Sequence, residues 1–240
     1  MSRVADRFGR AALTYASATP IQRQVAARLA ERIVGSALPA GARVAEFGCG
    51  AGYLAQVLAP RLEPNLWIAT DIAPAMTAVA RAVTPLVAVM DGARPALTPG
   101  FDLVCSSLTL QWMADPEAAL AGWRALVRPG GRLAVATLID GSFIEWRKAL
   151  AEAGAKAGGP RFAPISEACD WFGADAEVET FILTERHPSA LAFLRALRAS
   201  GTDAAETSAL RGGAMRRAMR AFEARGAAVT YEVLIAVETV

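Results

Sequence analysis

The sequence is poor in the residues that metals, disulfides and proton relays require. Among 240 residues there is one histidine, His187, and there are three cysteines, Cys49, Cys105 and Cys169. A zinc site of His and Cys ligands would use most of that stock at close spacing, yet neither C-x-x-C nor H-E-x-x-H occurs. Unclustered thiols exclude a disulfide scaffold and suit a reducing compartment. An excess of one charge is also lacking. Lys plus Arg is 25 and Asp plus Glu is 23, a formal net charge of +2, too balanced for a protein that coats nucleic acid. No segment reaches the roughly 18 uninterrupted apolar residues of a membrane span. The opening MSRVADRFGRAALTYASATP is broken by Arg3, Asp6, Arg7 and Arg10, so it lacks the apolar stretch of a signal peptide. These absences predict a cytoplasmic protein that works without a metal, a histidine relay, nucleic acid or a membrane.

Apolar residues, by contrast, make up 54% of the chain, enough for a large core. Ala5 to Val34 reads as helix, with Val25, Leu29 and Ile33 at four-residue spacing. Short apolar strands follow at Arg43–Phe47, Leu66–Thr70, Leu86–Met90, Phe101–Ser106 and Arg132–Leu138, separated by helices at Tyr53–Leu62, Pro74–Val83 and Pro116–Leu126. Nearly all-apolar strands alternating with helices predict an α/β fold, a doubly wound, mostly parallel sheet covered on both faces. The second half changes rhythm. Helices at Phe143–Ala155 and Ser166–Phe172 precede a strand at Glu177–Thr184, two helices at Ser189–Ala199 and Ala204–Ala224, and a seventh strand at Val229–Val237. One domain over 1–240 is expected, with a helical lid at 1–35, a ligand-binding core at 36–140 and a helical cap at 185–226 inserted before the final strand.

The glycine loop is the first sign of chemistry. In VAEFGCGAG, Glu46 stands two residues before Gly48, Gly50 and Gly52. Small residues at a strand end let the backbone turn tightly and approach a ligand, while the next helix offers its N-terminus. The spacing is not the G-x-G-x-x-G of dinucleotide sites. Asp71 ends the second strand, where an acid grips ribose hydroxyls, and Asp91 ends the third. Three strand-end acids would encircle a nucleoside that carries positive charge and no phosphate.

VAEFGCGAG, ATDIAP, MDGARP, FDLVCSSLTLQW and LVRPGGRLAV, in this order over Arg43 to Thr137, resemble the motifs of class I S-adenosylmethionine-dependent methyltransferases. The resemblance implies S-adenosylmethionine as cofactor and S-adenosylhomocysteine as product, with no metal. It implies that Gly48, Gly50 and Gly52 shape the methionine pocket and that Glu46 meets the ammonium. Asp71 would take the ribose hydroxyls, Ile72 and Met76 would flank the adenine, and Asp91 with Gly92 would hold its amine. Ser106 and Leu108 would complete the pocket from the fourth strand. Tyr15 and Gln22 resemble positions on an amino-terminal helix that closes over the cofactor.

The outer segments FGRAALTYASATPIQRQ, SSLTLQWMADP, ATLIDGSFIEW and VTYEVLIAV resemble the malonyl-acyl-carrier-protein O-methyltransferase family of biotin synthesis. Ser107 departs from the Asn usual there. The resemblance implies a malonyl group on an acidic acyl-carrier protein as acceptor and a monomeric enzyme. The chemistry agrees with the residue inventory, because a carboxyl with an ordinary pKa of about 4 is already ionised at neutral pH and needs no base. Tyr15, Gln111 and Trp112 would border the reaction cleft, though Trp112 suits the core equally well. Arg195 and Arg198 match basic family positions and could grip a carboxylate. His187, just before Pro188, reads as structural. In GGAMRRAMRAFEARG, Met215, Met219 and Phe222 share helical spacing while Arg216, Arg217 and Arg220 take other faces, which suits an acidic partner or simply a solvated face. Two further readings stay open: a carboxyl O-methyltransferase of a free small acid such as an aconitate, and a non-enzymatic assembly module of the same fold.

Overall fold

The computed structural model describes residues 3–155, 158–202 and 212–240. Seven strands form one sheet in the order β3-β2-β1-β4-β5-β7-β6: β1 Arg43–Phe47, β2 Leu66–Asp71, β3 Val87–Val89, β4 Phe101–Ser107, β5 Val127–Leu138, β6 Glu177–Arg186 and β7 Ala228–Thr239. Pairings among β1 to β5 are parallel, whereas β7 runs antiparallel to both β5 and β6. The strand order reverses between β1 and β4, and the carboxyl ends of the parallel strands open a crevice there.

Apolar side chains alternate along the strands and feed two cores. Val44, Leu103 and Cys105 face helices α2 Pro20–Gly35 and α3 Tyr53–Leu62. Ala45, Phe47 and Val104 face α5 Pro116–Arg124, where Trp123 stacks on Phe47 at 5.2 Å. α4 Pro74–Ala80 follows β2, α6 Ile144–Glu152 and α7 Ile165–Asp170 lie between β5 and β6, and α8 Ala190–Ala199 and α9 Gly212–Ala224 lie between β6 and β7. The expected helix Ala204–Ala224 lies partly outside the described residues, at 203–211. No helix among the described residues is long and apolar enough to cross a membrane.

The predicted single helix from Ala5 to Val34 is in fact two, α1 Arg3–Ala18 and α2. Pro20 disfavours helical geometry at Thr19 and then serves as the first residue of the new helix. Thr19 is fully buried, and its hydroxyl bonds the Tyr15 carbonyl at 2.6 Å and the Tyr53 hydroxyl at 2.7 Å. The break lets α1 turn away from the sheet and contact α4 and α8, so that it bridges the two halves of the molecule. The Thr14 hydroxyl donates to the Ala199 carbonyl at 2.9 Å, tying α1 to the end of α8.

Candidate active site

Three cavities adjoin under α1, and Tyr15 lines them all. The largest, about 300 Å³, lies at the ends of β1, β2 and β4. Gly48, Gly50, Asp71, Ile72, Asp91, Gly92 and Leu108 line it, so the structure brings together most of the residues expected around the cofactor. Gly48 and Gly50 have φ of +68° and +52°, a region that residues with a Cβ adopt at a cost. A Cβ on Gly48 would also collide with the Thr109 side chain, whose hydroxyl donates to the Gly48 carbonyl at 3.2 Å. Asp71 is 8% exposed and already engaged. Its carboxylate accepts the N–H of Gly50 at 3.0 Å and of Ala73 at 2.8 Å, tying the end of β2 to the glycine loop. Burial raises its pKa above the ordinary carboxylate value, although these backbone bonds oppose the shift. Asp91 is exposed and accepts the Ala93 N–H at 3.0 Å.

A small second cavity, about 30 Å³, is lined by Glu46, Gly48, Gly50, Gln22 and Ser107. Glu46 is 2% exposed, accepts one hydrogen bond from Trp67 Nε1 at 3.0 Å, and forms no ion pair among the described residues. Burial pushes its pKa up to about 8, only partly offset by the Trp67 bond. A buried acid without a cation is destabilising unless it is neutral or a ligand supplies the charge. This donor set fits an ammonium-bearing ligand.

The third cavity, about 60 Å³, meets the first at a wall made by Phe8, Tyr15, Leu108 and Trp112. Trp112 meets Phe8 edge-on at 5.4 Å, and Tyr15 stacks on Tyr53 at 5.9 Å. Burial, with help from neighbouring Tyr53 and Asp71, keeps the Tyr15 hydroxyl protonated far above neutrality, so it can donate but not act as a base. Gln111 lines this chamber, but its amide is braced: Nε2 donates to the Leu108 carbonyl at 2.8 Å and Oε1 accepts from Thr137 at 3.1 Å. Leu108 and Phe143 hold positive φ, +55° and +57°, and both are chamber walls. Bulky residues in that region are uncommon and concentrate at functional sites.

Several expected site residues stand elsewhere. Met76 is fully buried between α4 and α1 and lines no cavity that includes the glycine loop. Ser106 is fully buried with its hydroxyl on the Phe47 carbonyl at 2.9 Å; its neighbour Ser107, one strand step on, is the one that reaches the cavities. Gly52 begins α3 with φ +81° and shapes the turn without lining a cavity. Arg195 and Arg198 lie on the exposed face of α8, because its inner face is made by Phe193, Ala196, Leu197 and Ser200. Neither arginine grips anything inside the chamber. His187, read from the sequence as structural, packs its ring on Phe193 and also borders the third cavity with Glu185 and Tyr231. No group of three His, Cys, Asp or Glu side chains suited to a metal occurs among the described residues.

The sheet order, the left-handed glycine loop and the acids at the ends of β2 and β3 define a class I methyltransferase. A methyltransferase-domain family model matches residues 45–135. The YcgJ protein of Bacillus subtilis superposes with a TM-score of 0.62 at 14% identity, over 88% of this chain and 97% of that one. The methyltransferase bound to the Trm112 activator of Haloferax volcanii does so at 0.61 and 21%, over 98% and 96%. The malonyl-[acyl-carrier protein] O-methyltransferase of Magnetococcus marinus is 36% identical over 97% of this chain and 90% of its own length. The biotin biosynthesis bifunctional protein BioCD of Bordetella avium is 42% identical over 95% of this chain. This chain spans 50% of that bifunctional relative. The chain belongs to the malonyl-[acyl-carrier protein] O-methyltransferase family.

Two measurements check the site. Asp71→Ala removes the tie between β2 and the glycine loop, and should weaken S-adenosylhomocysteine binding at least about tenfold in calorimetry, since each lost charge-assisted hydrogen bond is worth roughly 1.5–3 kcal/mol; unchanged affinity would contradict the role. Glu46 is held protonated up to about pH 8 in the fold but ionises near 4.5 when unfolded, so the empty protein loses stability as pH rises between those values. A ligand ammonium needs the anion, so affinity should rise about tenfold from pH 6.5 to 8, and Glu46→Gln should flatten that rise.

Proposed function

We propose that this chain transfers a methyl group from S-adenosylmethionine to the free carboxylate of a malonyl thioester on an acyl-carrier protein, giving the methyl ester that feeds biotin precursor synthesis. The observation that carries this reading is the meeting of a nucleoside-sized cavity and a separate aromatic chamber at one wall of Phe8, Tyr15, Leu108 and Trp112. Family membership favours the malonyl acceptor.

When bound, S-adenosylmethionine would supply a sulfonium methyl group for in-line displacement by a carboxylate oxygen, with S-adenosylhomocysteine as the neutral thioether leaving group. Gly48 and Gly50 would let the backbone approach the cofactor, Glu46 would hold its ammonium, and Asp71, Ile72, Asp91 and Gly92 would line its nucleoside. Gln22 borders both the Glu46 cavity and the aromatic chamber. Tyr15 and Phe8, on α1, close the junction and exclude water, which strengthens the attraction between carboxylate and sulfonium. No proton has to be removed, so the residues at the junction need only align the partners, and alignment alone is worth several kcal/mol.

Arg195 and Arg198 project from the outer face of the helix whose inner face walls the chamber, and Arg216 and Arg220 are exposed on α9. None of these four forms an ion pair among the described residues. They suit steering of an acidic carrier protein to the chamber rather than contact with the malonyl group. Incubation with S-adenosylmethionine and either malonyl-carrier protein or free di- and tricarboxylates, read by mass spectrometry, tests the reading. Methyl ester should form on the carrier, and its absence would sink the proposal. Joint replacement of Arg195 and Arg198 by Glu should raise KM for malonyl-carrier protein about tenfold while leaving that for malonyl-pantetheine within about twofold. Equal effects on both would refute the steering role.

A further inference from the structure

The acceptor chamber holds a polar cluster for which the methyl-transfer chemistry has no use. Glu185, near the end of β6, and His187, two residues on, both line it. Tyr231 on β7 lines it too, opposite Leu183 in the antiparallel register. The Tyr231 hydroxyl donates to Glu185 Oε2 at 3.2 Å, and His187 Nε2 stands 3.6 Å from the same oxygen. That nitrogen is buried and makes no hydrogen bond, within a side chain only 8% exposed. Aromatic rings fix the cluster from behind: Phe193 lies 5.3 Å from the His187 ring, and Phe143 meets Tyr231 edge-on at 4.9 Å. Burial holds His187 below its ordinary pKa more strongly than Glu185 raises it, so the imidazole is neutral and offsets none of the Glu185 charge.

Glu185 is thus the one charged side chain among the described residues that line the chamber, and it is an acid in a chamber meant for an acid. A carboxylate brought beside it is repelled, and with the Glu185 side chain only 24% exposed the pair is screened less than in open water. The acceptor can avoid this in one orientation. Its free carboxylate points to the Tyr15–Trp112 wall, toward the positively charged donor, and an uncharged group takes the Glu185 end. In an acyl thioester that group is the neutral carbonyl. In a free diacid it is a second carboxylate.

We propose that Glu185, held by the Tyr231 hydroxyl, is a specificity determinant that rejects free dicarboxylates and admits acceptors with a single carboxylate and a neutral carbonyl at the other end. The inference rests on the acceptor reading above. Free malonate and monomethyl malonate differ only in whether the second carboxyl is charged or esterified, and neither brings a carrier protein, so they isolate the charge effect. Both are to be measured as competitive inhibitors of malonyl-carrier-protein methylation. In the wild type, malonate should have a Ki at least tenfold above that of monomethyl malonate. Glu185→Gln should lower the malonate Ki at least tenfold and move the monomethyl malonate Ki less than threefold, with S-adenosylhomocysteine affinity by calorimetry as the check on folding. Glu185→Thr, a residue suited to a strand, should do the same where the glutamine variant folds poorly. A malonate to monomethyl malonate Ki ratio that stays at the wild-type value in a folded uncharged variant would overturn the subsite alone. Failure of the wild type to methylate malonyl-carrier protein would instead overturn the acceptor reading.

Discussion

The site depends on one buried carboxylate. Asp71 sits at the end of β2 and accepts hydrogen bonds from the glycine loop after β1, at Gly50, and from the start of α4, at Ala73. The glycine loop after β1 and the turn from β2 into α4 are thereby fixed to one group. A nearly buried acid is tolerable only when its oxygens are satisfied, and here the backbone satisfies them. The left-handed glycines follow from this tie, because the loop must turn its N–H groups back toward β2. The steric demand of Thr109 on Gly48 follows as well, since the loop is pulled close to the end of β4. With the loop fixed, the cavity beside it has a defined floor.

The roof is α1, and the break at Thr19 makes it possible. A helix running unbroken from Ala5 to Val34 could not both pack on the sheet and cross the strand ends. Thr19 is buried and shares its hydroxyl with Tyr53, while Tyr53 stacks on Tyr15. The hinge between the two helices is therefore in contact with the residue that lines all three cavities. That single ring is shared by all three cavities.

The parallel half of the sheet is legible in the sequence because its first three strands are short apolar runs, β1 followed by a glycine loop, β2 ended by Asp71 and β3 followed by Asp91. The misplacements have separate physical sources. The four-residue spacing continues across Pro20 and conceals the break that the proline causes. Ser106 and Ser107 are adjacent in sequence, but strand side chains alternate, so one faces the sheet interior and the other the cavity. Met76 belongs to a short motif, and the motif does not tell which way its helix turns. Arg195 and Arg198 could have been placed from the sequence. Phe193, Ala196, Leu197 and Ser200 fall at i, i+3, i+4 and i+7 and mark the inner face of α8, leaving both arginines outside. The aromatic chamber could not have been read in this way. Phe143, Phe162, Phe193 and Tyr231 come from four separate segments and share no local period, so only the tertiary fold assembles them.

The placement of charge separates two kinds of selection by distance. Outside, the proposed steering by exposed arginines on α8 and α9 would act through water, where a field attracts an acidic protein but cannot distinguish the groups it carries. Inside, the proposed role of Glu185 would act over a few ångströms in a chamber without a lining arginine or lysine among the described residues, where an extra negative charge has no cation to offset it. An arginine in the chamber would bind the acceptor more tightly, yet it would also hold the nucleophilic carboxylate away from the donor and welcome any free diacid. Cation outside and anion inside therefore suit an acceptor that is delivered by an acidic carrier and has only one carboxylate to present.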